Sequence, residues 1–140
     1  MKDYNGYTSA QRNKAQSWLN SQWRAGKLAR PTSCVACTQD RGIIDAHAED
    51  YSEPFAAGKT DGFHLCFRCH MILHCRFRNP EAFARYADEV YAGTVFTPFF
   101  TRDFGTFSAQ QLKGWCPPVD RVTLHSTNVL WEIHHAVSTH

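Results

Sequence analysis

The sequence has no apolar run approaching the roughly 20 residues that a membrane span takes. It opens Met1-Lys2-Asp3-Tyr4, without the apolar stretch of a secretory signal. These two absences lead us to expect a soluble, cytoplasmic protein with no membrane partner, and they argue against an oxidised disulfide framework for its 6 cysteines. Internal repeats and low-complexity tracts are missing as well. Disorder is excluded from the other side, because 43% of residues are hydrophobic and 14% are aromatic. At 140 residues the chain is expected to form one compact unit with a modest apolar core.

Net charge is also scarce, at +2, but it is unevenly divided. Residues 1–33 carry six Lys or Arg against one Asp, residues 34–75 three against six acids, and residues 76–140 six against six. Positive charge is therefore concentrated at the start of the chain, where Arg12, Lys14, Arg24, Lys27 and Arg30 can hold a polyanion or simply form a solvated helix face. Residues 8–25 read as an amphipathic helix, with Thr8 and Gln11 at capping-box spacing and Ala15, Trp18, Leu19 and Trp23 on one side. Gly26 is its expected stop.

What the sequence does have is a dense cluster of metal-ligating residues between 34 and 74. Cys34-Val35-Ala36-Cys37 and Cys66-Phe67-Arg68-Cys69 are two Cys-x-x-Cys knuckles, and residues 38–65 between them are long enough for a hairpin that brings the pairs together. The expectation is one structural zinc per chain on Cys34, Cys37, Cys66 and Cys69. His70 follows the last of these cysteines and His74 lies one helical turn on, so their imidazoles share a face. His47 comes from the intervening segment. Clustered imidazoles of this kind suit a catalytic divalent cation, Mg²⁺ or Mn²⁺.

The runs Gly26 to Cys37, Asp45-Ala46-His47-Ala48-Glu49-Asp50-Tyr51-Ser52-Glu53-Pro54 and Leu65-Cys66-Phe67-Arg68-Cys69-His70-Met71-Ile72-Leu73-His74 resemble the zinc-containing HNH endonucleases of phage and restriction type. The likeness covers about residues 24–75. It implies a ββα-metal core stapled by a four-cysteine zinc, which with the flanking helices and aromatic-rich C-terminal extension read from the rest of the chain makes the expected fold α+β. The expected organisation is a basic N-terminal helix in 1–33, the catalytic core in 34–79 and a helical, aromatic extension in 80–140. By resemblance His47 and His70 are ligands of the catalytic cation, His74 is a further helix histidine that approaches it, and Asp61 steadies the hairpin loop. The family's general-base histidine falls on Ala48, whose methyl accepts no proton. Three accounts stay open: a slipped register with His47 as base and Asp45 near the metal, natural loss of the base, or deliberate disabling for study with DNA. The otherwise intact motif favours the last.

Further along, short strands are expected near 43–45 and 63–65, a metal-site helix over 69–78, and a helix over 80–92 capped by Asn79 with Pro80 at its first position. Arg76 and Arg78 then lie beside the site. A short helix near 108–114, a strand near 119–124 and a helix over 127–137 complete the reading, with Cys75 as a buried or idle thiol. His64 is expected to serve a local hydrogen bond, and His134, His135 and His140 to lie on a frayed end.

The function expected is metal-dependent hydrolysis of phosphodiester bonds in double-stranded DNA, leaving 5′-phosphate and 3′-hydroxyl ends by resemblance, and impaired here by Ala48. The rivals are a non-catalytic zinc-stabilised DNA-binding protein and a protein-interaction module. A staggered double-strand cut at a palindrome would take two chains, which makes a homodimer attractive.

Overall fold

A computed structural model describes residues 2–113, 118–121, 129, 130, 132 and 133. Its architecture is mixed α and β: helices α1 (Ser9–Arg24), α2 (Phe67–His74), α3 (Pro80–Tyr91) and α4 (Phe104–Phe107), and strands β1 (Ile44–His47), β2 (Phe63–Cys66), β3 (Thr94–Phe96) and β4 (Pro118–Arg121). Among the described residues the strands form two small sheets, β1 with β2 and β3 with β4. The chain divides into two compact units, Met1–Thr32 with Ala46–His64, and Ser33–Asp45 with Leu65–His140.

In the first unit, the dipeptide Asn5-Gly6 makes a tight turn, with φ of 52° and 82°, that pairs Tyr4 with Tyr7 through two backbone hydrogen bonds. Thr8 then caps α1. Its hydroxyl accepts from the Gln11 amide while the Gln11 side chain accepts from the Thr8 amide, the reciprocal box that the sequence predicts. The helix ends where Gly26, at φ 71°, lets the Gly26 and Lys27 amides reach back to Trp23 and Gln22. Ala15 and Leu19 are buried as expected. Trp18 and Trp23 are only half-buried, the first against Phe55 at 6.0 Å and the second beneath the Arg30 guanidinium at 5.0 Å.

The second unit holds the larger apolar core, with Phe67, Ile72, Leu73, Phe83, Tyr86, Val90, Val95, Phe96 and Phe107 all buried. α2 begins two residues before its expected start because Cys66 serves as its N-cap, the sulfur accepting from the Cys69 amide. It also stops early, at His74, and Cys75 to Arg78 form turns that lead to Asn79. Asn79 caps α3 and Pro80 opens it, as expected. The antiparallel β3–β4 pair matches Thr94 with Arg121 and Val95 with Asp120. After α4 the chain continues into a five-residue π turn, Ser108–Leu112, where a short helix is expected. The expected helix over 127–137 lies outside the described residues except for Val129, Leu130, Glu132 and Ile133, which are helical. Cys116, His134, His135 and His140 lie outside them too.

Gly42 fixes the approach of the 97–103 segment to the start of β1. Its φ is +72°, and a Cβ there would collide with the Phe99 carbonyl oxygen, which accepts from the Ile43 amide at 2.8 Å. Gly42→Ala combines an unfavourable backbone conformation with that collision, and is expected to lower stability by about 2 kcal/mol or more, measured as a lower urea midpoint.

Candidate metal centre

Both knuckles are built the same way. The Cys37 amide points at Cys34 Sγ and the Cys69 amide at Cys66 Sγ, each at 3.5 Å, so the first sulfur of each pair accepts from the backbone three residues on. Thr38, at φ 70°, closes the first turn, and its amide donates to the Cys34 carbonyl at 3.0 Å. The four sulfurs lie within 4.8 Å of one another, are buried and form no disulfide. Cys37 Sγ and Cys66 Sγ are 3.7 Å apart. Tetrahedral thiolates at a Zn–S distance of about 2.3 Å sit about 3.8 Å apart, so the cluster has the dimensions of a structural metal site.

The protons tell the same story. Burial pushes the Cys34 thiol up, but the hydrogen bonds it receives from Cys37, Cys66 and Cys69 outweigh that and hold it well below the usual thiol range. Donating to Cys34 and Cys37 keeps Cys66 protonated well above that range, and burial does so for Cys69. A cation that takes all four sulfurs must displace the remaining protons. Tyr86 Oη lies 3.0 Å from Cys69 Sγ, and burial, with the cysteine sulfurs beside it, pushes that phenol well above its usual range.

In the same unit α2 carries a second group. Cys66, His70 and His74 are spaced by four residues and so share a face of the helix. His70 Nδ1 is 3.0 Å from Asp45 Oδ2, and His70 Nε2 is 3.0 Å from His74 Nε2. With the carboxylate accepting from Nδ1, the lone pair of His70 is placed on Nε2, toward His74. The 3.0 Å between the two Nε2 atoms is a hydrogen-bond distance, and it is also the spacing of two nitrogens coordinated at about 2.1 Å and at right angles. Asp45 is gripped from its other side by both terminal nitrogens of Arg102, at 2.8 and 2.5 Å. Burial opposes its charge, but the hydrogen bonds from Arg102 and His70 prevail and hold this carboxyl well below the usual range.

His47, in the first unit, is 1% exposed. Its ring stacks on Phe63 at 6.2 Å, and its Nε2 lies 3.3 Å from Glu49 Oε1 and 3.4 Å from the Tyr4 hydroxyl, which itself donates to Glu49 at 2.8 Å. Strand alternation puts His47 on the same face of β1 as Asp45. Ala48, next along, is 3% exposed. Asp61 lies 3.0 Å from His64 Nε2, which gives His64 the local partner expected of it.

The basic residues fare unequally. Arg12, expected on the outer face of α1, is turned inward: it is 9% exposed, its guanidinium lies 5.1 Å from the Tyr4 and Tyr51 rings, and it donates to the Lys2 carbonyl. Lys14 is exposed and pairs with Glu53 at 2.8 Å, while Arg24, Lys27 and Arg30 are exposed. Arg76 is buried, donating to the Leu73 carbonyl with its guanidinium over the Phe77 ring, and Arg78 is exposed with one nitrogen 3.8 Å from the buried Cys75 sulfur. Sequence reasoning missed Arg102, Glu49, Tyr4 and Tyr86. Only the Tyr4 to Tyr7 turn had a local signal, its Asn-Gly pair.

No family model, curated protein or solved structure matches the chain.

The four-cysteine cluster should hold one tightly bound metal ion per chain, with the second unit dependent on it. Metal analysis of purified protein checks the stoichiometry, and a strong chelator or acid, which protonates the sulfurs, should abolish cooperative unfolding seen by circular dichroism. A folded, metal-free sample would overturn the assignment.

Proposed function

We propose that the chain is a metal-dependent DNA endonuclease of the HNH class, and the arrangement of Asp45, His70 and His74 carries that reading. A structural stapling role has no use for a carboxylate-oriented imidazole facing a second imidazole, whereas a cation site does. His70 and His74, one helical turn apart, can give one nitrogen each to a single ion, and His47 is the further ligand that the HNH resemblance implies. Two of the three have a carboxylate partner, Asp45 for His70 and Glu49 for His47. Such partners fix the tautomer and raise the basicity of a ligand. The four-thiolate site is read as structural zinc, since four sulfurs in a tetrahedral array suit that ion.

A divalent ion held by the imidazoles, Mg²⁺ or Mn²⁺, supplies neutralisation of the charge that builds on a phosphodiester and its leaving oxygen. The protein's part is to position it. Asp45, Arg102 and Glu49 hold the imidazoles in place, and the exposed Arg24, Lys27 and Arg30 are available to backbone phosphates of a duplex, contacts that orient without reading sequence. Ala48 supports a second reading, a zinc-stabilised DNA-binding protein without catalysis. The residue after His47 is where the HNH resemblance puts the water-activating histidine, and a methyl takes no proton.

Two experiments separate these readings. Calorimetric titration of Mn²⁺ should show one weak site in the zinc-loaded protein, and His70→Ala should abolish it while zinc content and fold remain. Unchanged Mn²⁺ affinity would show that the histidines are not the site.

Ala48→His should raise cleavage of a mixed-sequence duplex in Mg²⁺ or Mn²⁺ by about 10²- to 10⁴-fold, the usual contribution of a positioned base. Because Ala48 is buried, the larger ring is expected to cost about 1–3 kcal/mol of stability, so a denaturation curve accompanies the assay. Full-speed cutting by the parent chain with no gain in the variant would place the base elsewhere. A folded variant that binds DNA and Mn²⁺ without cutting would favour the non-catalytic reading.

A further inference from the structure

A single exposed phenylalanine is ordinary on a protein surface. Phe100 is 71% exposed, the most of the large apolar side chains described, and what sets it apart is the rigidity of its mount. On the N-terminal side, the Thr97 carbonyl accepts from the buried Arg68 at 2.8 Å. The Phe99 ring packs 5.0 Å from Phe67 with the Arg68 guanidinium 4.5 Å from its centre, and the Phe99 carbonyl accepts from Ile43. Arg68 is itself held by Gln110 and Gln111 at 2.8 and 2.6 Å. On the C-terminal side, Arg102 is clamped bidentately on Asp45, and the Asp103 carboxylate caps α4 through the Thr106 amide at 2.9 Å. The chain is tied down on both sides of a tip made of Phe100 and Thr101.

We propose that this segment is a DNA-contacting finger, with Phe100 as an aromatic platform that stacks on bases of a duplex engaged at the His70 site. The proposal rests on the nuclease reading above. Its particular ground is adjacency: two residues after Phe100, Arg102 touches the carboxylate that orients His70, so a phosphate arriving there brings its bases to the finger. Arg102 is 59% exposed, and its two bonds to Asp45 leave other N–H groups of the guanidinium available to a neighbouring phosphate. A duplex offers both partners at once, a phosphate for the guanidinium and a π-face for the ring. An apolar protein surface matches less well, because Phe100 is followed by exposed Thr101, Arg102 and Asp103.

The test uses the full chain, zinc-loaded, with Ca²⁺ and a fluorescein-labelled random-sequence duplex. Phe100→Ala should weaken binding about ten-fold, within the range for loss of one aromatic–base stack, while Phe100→Trp retains it. The salt dependence of binding should be the same in all three proteins, since no phosphate contact is removed. A duplex substituted with 2-aminopurine should brighten on binding the parent and not on binding Phe100→Ala, as expected when a base leaves the stack. Equal affinity and equal brightening for parent and Phe100→Ala would overturn the finger while leaving the nuclease reading in place. A parent that binds Mn²⁺ at its histidines but no duplex would overturn both. If Phe100→Ala instead abolishes self-association in sedimentation, with duplex binding unchanged, the ring's occupant is a second copy and the proposal fails.

Discussion

Cys66 does three things at once, and much of the second unit follows from that. It ends β2, it caps α2 by accepting the Cys69 amide, and its sulfur joins Cys34, Cys37 and Cys69 in the buried cluster. A helix started by a metal-ligating cap has no freedom of register. His70 and His74 therefore fall on the face of Cys66 one and two turns on, and the buried residues of the same helix, among them Phe67, Ile72 and Leu73, take the core. Closing the 34–37 turn onto this helix through a shared ion offsets chain entropy that a small core would otherwise carry alone.

Features written in short-range chemistry were legible in the sequence: the Thr8–Gln11 box, Gly26, the Asn79-Pro80 start of α3 and the two knuckles. The start of α2 was misplaced because cysteine is not an ordinary cap, and sulfur takes that role here only by virtue of the cluster. Arg12 was misread for a different reason. It stands three and seven residues before Ala15 and Leu19, in the buried row of α1, yet its charge suggested solvent. The Tyr4 and Tyr51 rings supply the face that makes burial of its guanidinium tolerable. No local pattern announces the Arg102–Asp45 pair, which joins residues 57 apart.

The two carboxylate–imidazole pairs came from opposite kinds of information. Glu49 follows His47 by two residues, within the run that resembles the HNH motif. Asp45 stands two residues before His47, but its partner His70 is on another element, and only the fold reveals the contact. In both cases an acid beside a histidine costs little in an unliganded protein, because a hydrogen bond to the imidazole offsets the loss of water. On the proposed reading, each acid raises the basicity of the ring it touches as a metal ligand.

Charge bears on how the proposed partners would be held. Residues 34–75 carry three basic side chains against six acidic ones. Taking four thiolates onto one divalent ion makes the local balance more negative still. Arg102 offsets the charge of the Asp45 carboxylate and keeps N–H groups exposed beside it. On the proposed reading a divalent cation at His70 and His74 adds positive charge to this face and so attraction for a phosphate. The same ion then serves docking as well as chemistry, so loss of the imidazoles weakens productive binding as well as turnover.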